Sequence, residues 1–169
     1  MRLSDYLDKG ASLGPDAPCL TTDGETRTYA EVQELSVRVA AALARQGIAA
    51  GDTVAILSAN DPDAFTTVFG ISRLGAVWCP INPRNEAAEN RELLDLFDCR
   101  ALVFQASYAE LVAKIRDDLP ELKTLVCLDA TVKRALTWED FLAAGLASSY
   151  GNWSSPMGEN DQFASLDGK

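Results

Sequence analysis

Short β-forming runs alternate with segments of helical periodicity through most of this 169-residue chain. The runs are TVAILS (53–58), AVWCPI (76–81), ALVFQ (101–105) and TLVCLD (124–129). Successive runs are separated by enough residues for a helix, which is the connection that neighbouring parallel strands require. This order predicts an α/β fold, with a mostly parallel sheet flanked by helices and built from right-handed βαβ units.

The first fifty residues predict a short helix, a β-hairpin and a longer helix. The short helix is expected at about 3–9, and Asp23-Gly24 between Thr-rich residues is typical of a hairpin turn. Thr28 and Glu31 have capping-box spacing and predict the start of the longer helix. Its apolar face would carry Val32, Leu35, Val39 and Leu43, with Gly47 as C-cap.

The later helices are indicated by their caps. Asp61 as N-cap, with Pro62 at the first helical position, predicts a helix that ends at Gly75. A further helix is expected at 86–98. Ser107 and Glu110 form a second capping box, which predicts a helix that ends at about residue 119, and Thr137 is expected to cap a last short helix.

The domain organisation follows from length and composition. Residues 1–146 are predicted to form one domain, which is long enough to bury a single core. Residues 147–169 are rich in Ser, Gly and Asn and have weak periodicity, so we expect a linker or a frayed tail.

Charge and hydrophobicity narrow the class of partner. The net charge of −10 argues against nucleic acid or an anionic membrane as a partner, because both repel an acidic surface. No apolar run approaches the roughly 20 residues of a transmembrane helix. The start, MRLSDYLDKG, lacks the apolar core of a signal peptide, so we expect a cytoplasmic protein.

Two residue types limit the chemistry. The chain has no histidine, which excludes Ser-His-Asp and Cys-His catalysis and removes the commonest transition-metal ligand. The cysteines are Cys19, Cys79, Cys99 and Cys127, without a C-x-x-C pair. We therefore predict four reduced thiols and no disulfide framework. No metal ligand is assigned: a site made only of Asp and Glu stays open, but no loop has calcium-binding spacing.

The turns that follow the predicted strands do not resemble phosphate-binding loops. ANDPD follows the first strand and NPRNEAAE the second, and neither contains glycine. The chain contains neither G-x-G-x-x-G nor G-x-x-x-x-G-K-[ST]. Carboxylates at the start of a helix would also repel a phosphate. Ordinary dinucleotide binding is therefore excluded.

Few residues qualify as candidates for a site. Asp61 and Asp63 could form a general acid–base pair, but a capped helix start is the favoured interpretation. Arg84, just beyond a strand end, could bind an anion, although a salt bridge with a neighbouring acid such as Glu86 or Glu89 is favoured. Trp78 and Trp138 are interpreted as core residues.

Longer stretches carry a resemblance to a known family. RTYAEVQELSVRVAAALARQGIAAGDTVAIL (27–57) is similar to an early T-Y-x-E-L helix followed by a G-D-x-V-A strand. Residues 58–104 contain RLGAVWCPINPR, similar to K-x-G-A-x-x-x-P-x-N-P-R between two helices. Both patterns resemble the N-terminal region of the adenylate-forming acyl-CoA synthetases, a superfamily that includes luciferases and peptide-synthetase adenylation domains. The resemblance covers residues 3–164, and Arg73 replaces the family's usual Lys.

The resemblance implies a ligase of two half-reactions when the enzyme is complete. A carboxylate attacks the α-phosphate of ATP in the presence of magnesium, and coenzyme A then takes the acyl group as a thioester. The family supplies T-S-G-T-T-G-x-x-K-G for the phosphates and a Lys in a C-terminal domain. Neither is present here: ENDQFASL (159–166) resembles the approach to that loop, and Ser154 and Ser155 are not part of it. No catalytic residue of the family maps onto this chain, no metal ligand is assigned, and the cofactor-binding residues are unknown.

Three hypotheses remain open. The first is an N-terminal fragment of an acyl-CoA synthetase, with a fatty-acid-like substrate favoured, that is inactive alone and needs ATP, magnesium and CoA when complete. The second is a naturally short, non-catalytic binding or interaction module of the same fold, which would self-associate through its uncovered face. The third, ranked last, is an unrelated flavodoxin-like regulatory domain.

Overall fold

The computed structural model describes residues 1–146, and the predicted linker at 147–169 lies outside the described residues. The helices are α1 (Leu3–Leu13), α2 (Tyr29–Arg45), α3 (Pro62–Leu74), α4 (Ala87–Leu96), α5 (Ala109–Ile115) and α6 (Trp138–Leu146). The strands are β1 (Pro18–Thr22), β2 (Glu25–Thr28), β3 (Thr53–Leu57), β4 (Val77–Pro80), β5 (Cys99–Phe104), β6 (Thr124–Cys127) and β7 (Leu136–Thr137).

The described strands form two sheets. β1 and β2 pair in antiparallel fashion, and the other five strands form a parallel sheet in the order β4-β3-β5-β6-β7. The predicted α/β class, the parallel sheet and the N-terminal hairpin are therefore confirmed. The short strand β7 was not predicted, because two residues are too few to give a periodic signal.

Local signals place the hairpin and the first long helix where the sequence predicts them. Asp23 and Gly24 adopt positive φ angles of 52° and 86°, as a tight two-residue turn between β-strands requires. The Thr28 backbone N–H donates to Glu31 Oε2 at 2.7 Å, and the Glu31 N–H donates to Thr28 Oγ1 at 3.3 Å. This reciprocal capping box starts α2.

The predicted boundaries of α3 are also confirmed. Asp61 Oδ1 accepts hydrogen bonds from the backbone N–H groups of Asp63 and Ala64, both at 2.9 Å. Pro62 occupies the first turn, and Gly75 ends the helix with a φ of 78°. The left-handed conformation at Gly75 allows the chain to turn directly into β4.

Apolar side chains cover both faces of the parallel sheet. One core lies between the sheet and α2, α3 and α6, and contains Leu43, Val54, Ile71 and Phe141. The second core lies under α4 and α5 on the opposite face. The helix α6 packs closely on α2, because a Cβ at Gly145 would lie 2.6 Å from the Arg38 carbonyl oxygen. This layering holds the strand ends, where a ligand would bind, in fixed positions.

Two sequence-based expectations are wrong. Ser107 lies in a 3₁₀ turn, and α5 begins at Ala109 without a side-chain cap, so the second predicted capping box does not form. The strand β4 lies at the edge of the parallel sheet and its Trp78 is 44% exposed, so the expectation that Trp78 is a core residue is wrong. Trp138 fulfils its prediction, because it packs against the first core and stacks on Phe141.

Candidate functional site

The sheet order creates a crevice where a ligand would bind in a doubly wound fold. From β3, the chain first crosses to β4 on one side and then returns to β5 on the other. The loops after β3 and β5 therefore diverge at the carboxyl ends of the strands. Such a topological switch point is the usual ligand site of open α/β sheets.

In this chain two side chains bridge the loops that border the crevice. Gln105 Oε1 accepts a hydrogen bond from the Ala59 backbone N–H at 2.8 Å and so links the loops after β3 and β5. Asp129, which follows β6, accepts a hydrogen bond from the Ala106 N–H at 2.7 Å. These backbone donors, which could otherwise bind an anion, are already satisfied.

The N-terminus of α3 is occupied in the same way. Asp61 caps the helix, and the Arg27 guanidinium contacts the Asp63 carboxylate at 2.5 Å. This hydrogen bond raises the pKa of Arg27, which therefore remains a cation. Asp61 accepts hydrogen bonds from the helix backbone, and Asp63 forms an ion pair with Arg27. The capping interpretation is therefore confirmed, and these carboxylates are not arranged as an acid–base pair.

An open groove lies beside the crevice, between the hairpin, the start of α3 and the ends of β3 and β4. Its volume is about 600 Å³, and its lining includes Leu20, Asp23, Asp61, Phe65, Trp78 and Pro80. The lining therefore combines aromatic and aliphatic surface with two carboxylates. The volume is within the range of small-molecule sites.

The described residues do not fit the phosphates of ATP. No lysine or arginine lines the groove, and its charged groups, Asp23 and Asp61, would repel a phosphate. Within residues 1–146, no cluster of three or more Cys, Asp or Glu side chains could hold a metal ion.

Arg84 differs from the favoured prediction. Its side chain is exposed and forms no ion pair with any residue of the described range, so the expected salt bridge with Glu86 or Glu89 is wrong. The Arg84 backbone N–H donates to Asn82 Oδ1 at 3.0 Å, and Glu86 and Glu89 form the capping box of α4. The NPR segment is thus a turn held by Asn82.

The four cysteines, all within the described residues, are free, as predicted. Cys79 and Cys99 contact each other in the second core, and this contact, with burial, raises the pKa of Cys99. The strand β3 lies between their strands in the sheet, and both thiols are free.

Sequence reasoning missed the residues that close the crevice. Gln105 follows β5 directly and Asp129 lies two residues after β6, and a polar residue at the end of an apolar strand was the available signal. Their partners lie on other loops, 46 and 23 residues away in sequence, so the contacts could not be read from local spacing.

Together, these features define an α/β fold with a parallel sheet, in which Gln105 and Asp129 link the loops at the strand ends. The AMP-binding enzyme family matches residues 7–159. The chain belongs to this family, which confirms the resemblance to the adenylate-forming enzymes.

The curated relatives are CoA ligases. The chain is 32% identical over 142 residues to the indoleacetate–CoA ligase of Aromatoleum aromaticum, covering 84% of this chain and 28% of the ligase. It is 31% identical to 4-coumarate–CoA ligase 1 of Petroselinum crispum, covering 84% of this chain and 26% of the ligase. The chain thus spans about a quarter of the length of these relatives.

Solved structures agree with this assignment. The N-terminal domain of FACL13 from Mycobacterium tuberculosis superposes with a TM-score of 0.72 at 29% identity, covering 88% of this chain and 36% of that one. The anthranilate CoA ligase AuaEII, solved with anthranoyl-AMP, gives a TM-score of 0.81 over 85% of this chain and 28% of that one. At 24% identity, the second likeness shows the fold alone.

Within residues 1–146, every helix is too short or too polar to cross a bilayer.

Proposed function

We propose that this chain is the N-terminal part of an ATP-dependent carboxylic acid–CoA ligase. The observation that carries the proposal is the extent of the similarity: it covers 84% of this chain but only 28% of the indoleacetate–CoA ligase. In the complete enzyme, ATP, magnesium and CoA would serve acyl-adenylate and then thioester formation. The rest of the synthetase would be the partner of this part, and the cytoplasm its location.

The substrate proposed for the complete enzyme is a fatty-acid-like carboxylic acid. Support comes from a Mycobacterium marinum ligase for medium- and long-chain fatty acids. This chain is 31% identical to it over 126 residues, and the match covers 23% of the ligase. The related ligases for indoleacetate and 4-coumarate make aromatic acids the competing class. A full-length protein carrying this chain should form thioesters faster with fatty acids than with indoleacetate or 4-coumarate. The opposite order would overturn the substrate class and leave the ligase proposal in place.

The isolated chain should be unable to activate a carboxylic acid. Its strand-end loops are closed by Gln105 and Asp129, and its groove carries carboxylates instead of cations. Exchange of labelled pyrophosphate into ATP should therefore be absent with every acid tested. Measurable exchange that depends on the acid would contradict this expectation.

A chimera tests the ligase proposal directly. Residues 1–146 would replace the matching N-terminal region of the indoleacetate–CoA ligase, and thioester formation would be compared with that of the intact ligase and of a version lacking the region. We expect the chimera to be active and the shortened version inactive. A chimera that folds but remains inactive would favour the second candidate.

That second candidate is a non-catalytic binding or interaction module of the same fold. The exposed edge strand β4 and the closed strand-end loops favour it. A module of this kind needs a partner surface but no nucleotide. This candidate predicts that the chain folds but does not bind ATP, and that the chimera forms no thioester.

A further inference from the structure

The outer edge of β4 has few backbone N–H and C=O groups that are free to pair with another strand. The Val77 N–H donates to the Asp52 carbonyl at 2.8 Å, and the Ile81 N–H donates to the Ile56 carbonyl at 3.0 Å. Because alternate residues of a parallel strand bond to the same neighbour, the N–H and C=O of Trp78 face away from β3. Pro80 has no N–H, so Trp78 is the sole donor on the outer side of Val77–Pro80.

Large apolar side chains surround this edge. Val77 is 51% exposed and Trp78 44%, and they stand on opposite faces of β4 because successive strand residues alternate. Phe65, 49% exposed, lies on α3 and lines the same groove as Trp78. Phe65 and Trp78 thus form an exposed apolar patch on one face of this edge, and such patches are typical of interaction sites.

Opposite charges lie at the two ends of the edge. At the carboxyl end of β4, the groove carries the carboxylates of Asp23 and Asp61. At the amino end, a second depression is lined by Arg2, Ser72 and Trp78. Within the described residues, Arg2 and Asp23 form no ion pair. Trp78 lines both depressions and therefore lies between a negative and a positive end.

We propose that a second copy of this chain binds at this edge, antiparallel to the first and related to it by a two-fold axis near Trp78. Each Trp78 N–H would then donate to the Trp78 carbonyl of the other copy, as in a hydrogen-bonded antiparallel pair. The same rotation brings Arg2 of each copy towards Asp23 and Asp61 of the other. A two-fold contact of this type needs only one self-complementary patch.

The strength of this contact follows from the short edge. One pair of backbone hydrogen bonds and a small apolar patch form a weak, concentration-dependent dimer. Pro80 prevents the pairing from extending, which limits open-ended aggregation. The inference concerns the chain by itself and does not rest on the proposed ligase activity.

The first test is the molar mass from size-exclusion chromatography with light scattering over a range of concentrations. We expect the wild-type protein to shift from monomer to dimer, and Trp78→Lys to raise the dissociation constant at least about tenfold. The matched control is Leu96→Lys, which changes a 72% exposed residue of α4 and should leave the dimer intact. A wild-type monomer at all concentrations would overturn the proposal and leave the edge to another occupant, such as a strand of a longer ligase. An unaffected Trp78→Lys dimer would place the interface elsewhere and overturn it too.

Charge reversal tests the antiparallel arrangement and avoids any change in β4. Arg2→Glu and Asp23→Lys should each weaken the homodimer by like-charge repulsion, whereas an equimolar mixture of the two should dimerise again. In that mixture, both contacts join opposite charges. Failure of the mixture to dimerise, with both variants folded, would contradict the arrangement.

Hydrogen exchange supplies a site-specific measurement. The Trp78 amide should become protected as the protein concentration rises, whereas the amides of β7, at the opposite edge of the sheet, should not change. Protection at both edges or at neither would overturn the proposal.

Discussion

Arg73 donates two hydrogen bonds to the carboxylate of Asp8, 3.0 Å from Nη1 to Oδ2 and 2.6 Å from Nη2 to Oδ1. The guanidinium also reaches Ser36, so one side chain joins α1, α2 and α3. Two parallel bonds from a planar group fix geometry better than a single charge contact does. The position where the related synthetases usually have Lys is thus a packing junction in this chain.

Replacing Arg73 should destabilise the fold. Arg73→Ala leaves the part-buried Asp8 carboxylate without its cation, at a cost of about 1–3 kcal/mol in the free energy of unfolding. Arg73→Lys should cost less, because it keeps the charge but loses the paired geometry. Urea denaturation of both variants measures the difference. Equal stability of Arg73→Ala and the wild type would show that α1 docks without this ion pair.

The same pair predicts a dependence of stability on pH. Burial raises the pKa of the Asp8 carboxyl, but the hydrogen bonds from Arg73 and Gln33 outweigh it, so the pKa lies below the ordinary 3.8. A carboxyl whose pKa is lower in the folded state stabilises the fold above its unfolded pKa, and this contribution is lost as pH falls through the folded value. The stability difference between wild type and Asp8→Asn should therefore be constant above pH 3.8 and shrink below it. A difference that grew on acidification would contradict the sign.

Asp61 should behave as a helix cap. Asp61→Ala is expected to lower the free energy of unfolding by about 1 kcal/mol, whereas Asp61→Asn, which caps equally well, should change it little. Thermal or urea unfolding of the two variants measures this contrast. A large loss in Asp61→Asn would mean that the charge of Asp61, and not its cap, is what the protein needs.

Asn90 is fully buried on α4, and within the described residues neither polar atom of its amide has a hydrogen-bond partner. Leucine has the same branching at Cγ, with larger methyl groups, and removes this unsatisfied group, so Asn90→Leu should raise the free energy of unfolding by about 1 kcal/mol. Asn90→Asp, which buries a charge, should lower it. If Asn90→Leu is destabilising, the amide has a partner such as a buried water.

The thiols should react in a defined order. Cys19 is half-buried, whereas Cys79, Cys99 and Cys127 are buried in the second core. A disulfide exchange reagent should modify one thiol quickly in the folded protein and the other three only on unfolding. Cys19→Ser should remove the fast phase. A fast phase that survives this substitution would mean that the core opens readily.

Local chemistry accounts for what the sequence predicted well. The hairpin turn at Asp23 and Gly24, and the starts of α2 and α3, depend on residues no more than a few positions apart. The alternation of strands and helices likewise predicted the parallel sheet, because a crossover helix leaves few other arrangements.

Strand position was decided by the tertiary structure. AVWCPI has the apolar composition of a central strand, yet the chain places β4 at the edge by crossing back to β5 beside β3, and Trp78 therefore remains exposed. No property of the run itself encodes which neighbours it receives.

The loops at the candidate site likewise could not be predicted from local sequence alone. The sequence by itself determined the class of fold and the absence of a glycine-rich phosphate loop, because both depend on residues close together in the chain. Only the tertiary structure brought Gln105 and Asp129 to the backbone amides of other loops. Those contacts join residues far apart in the chain, and their energies depend on packing that no local pattern records.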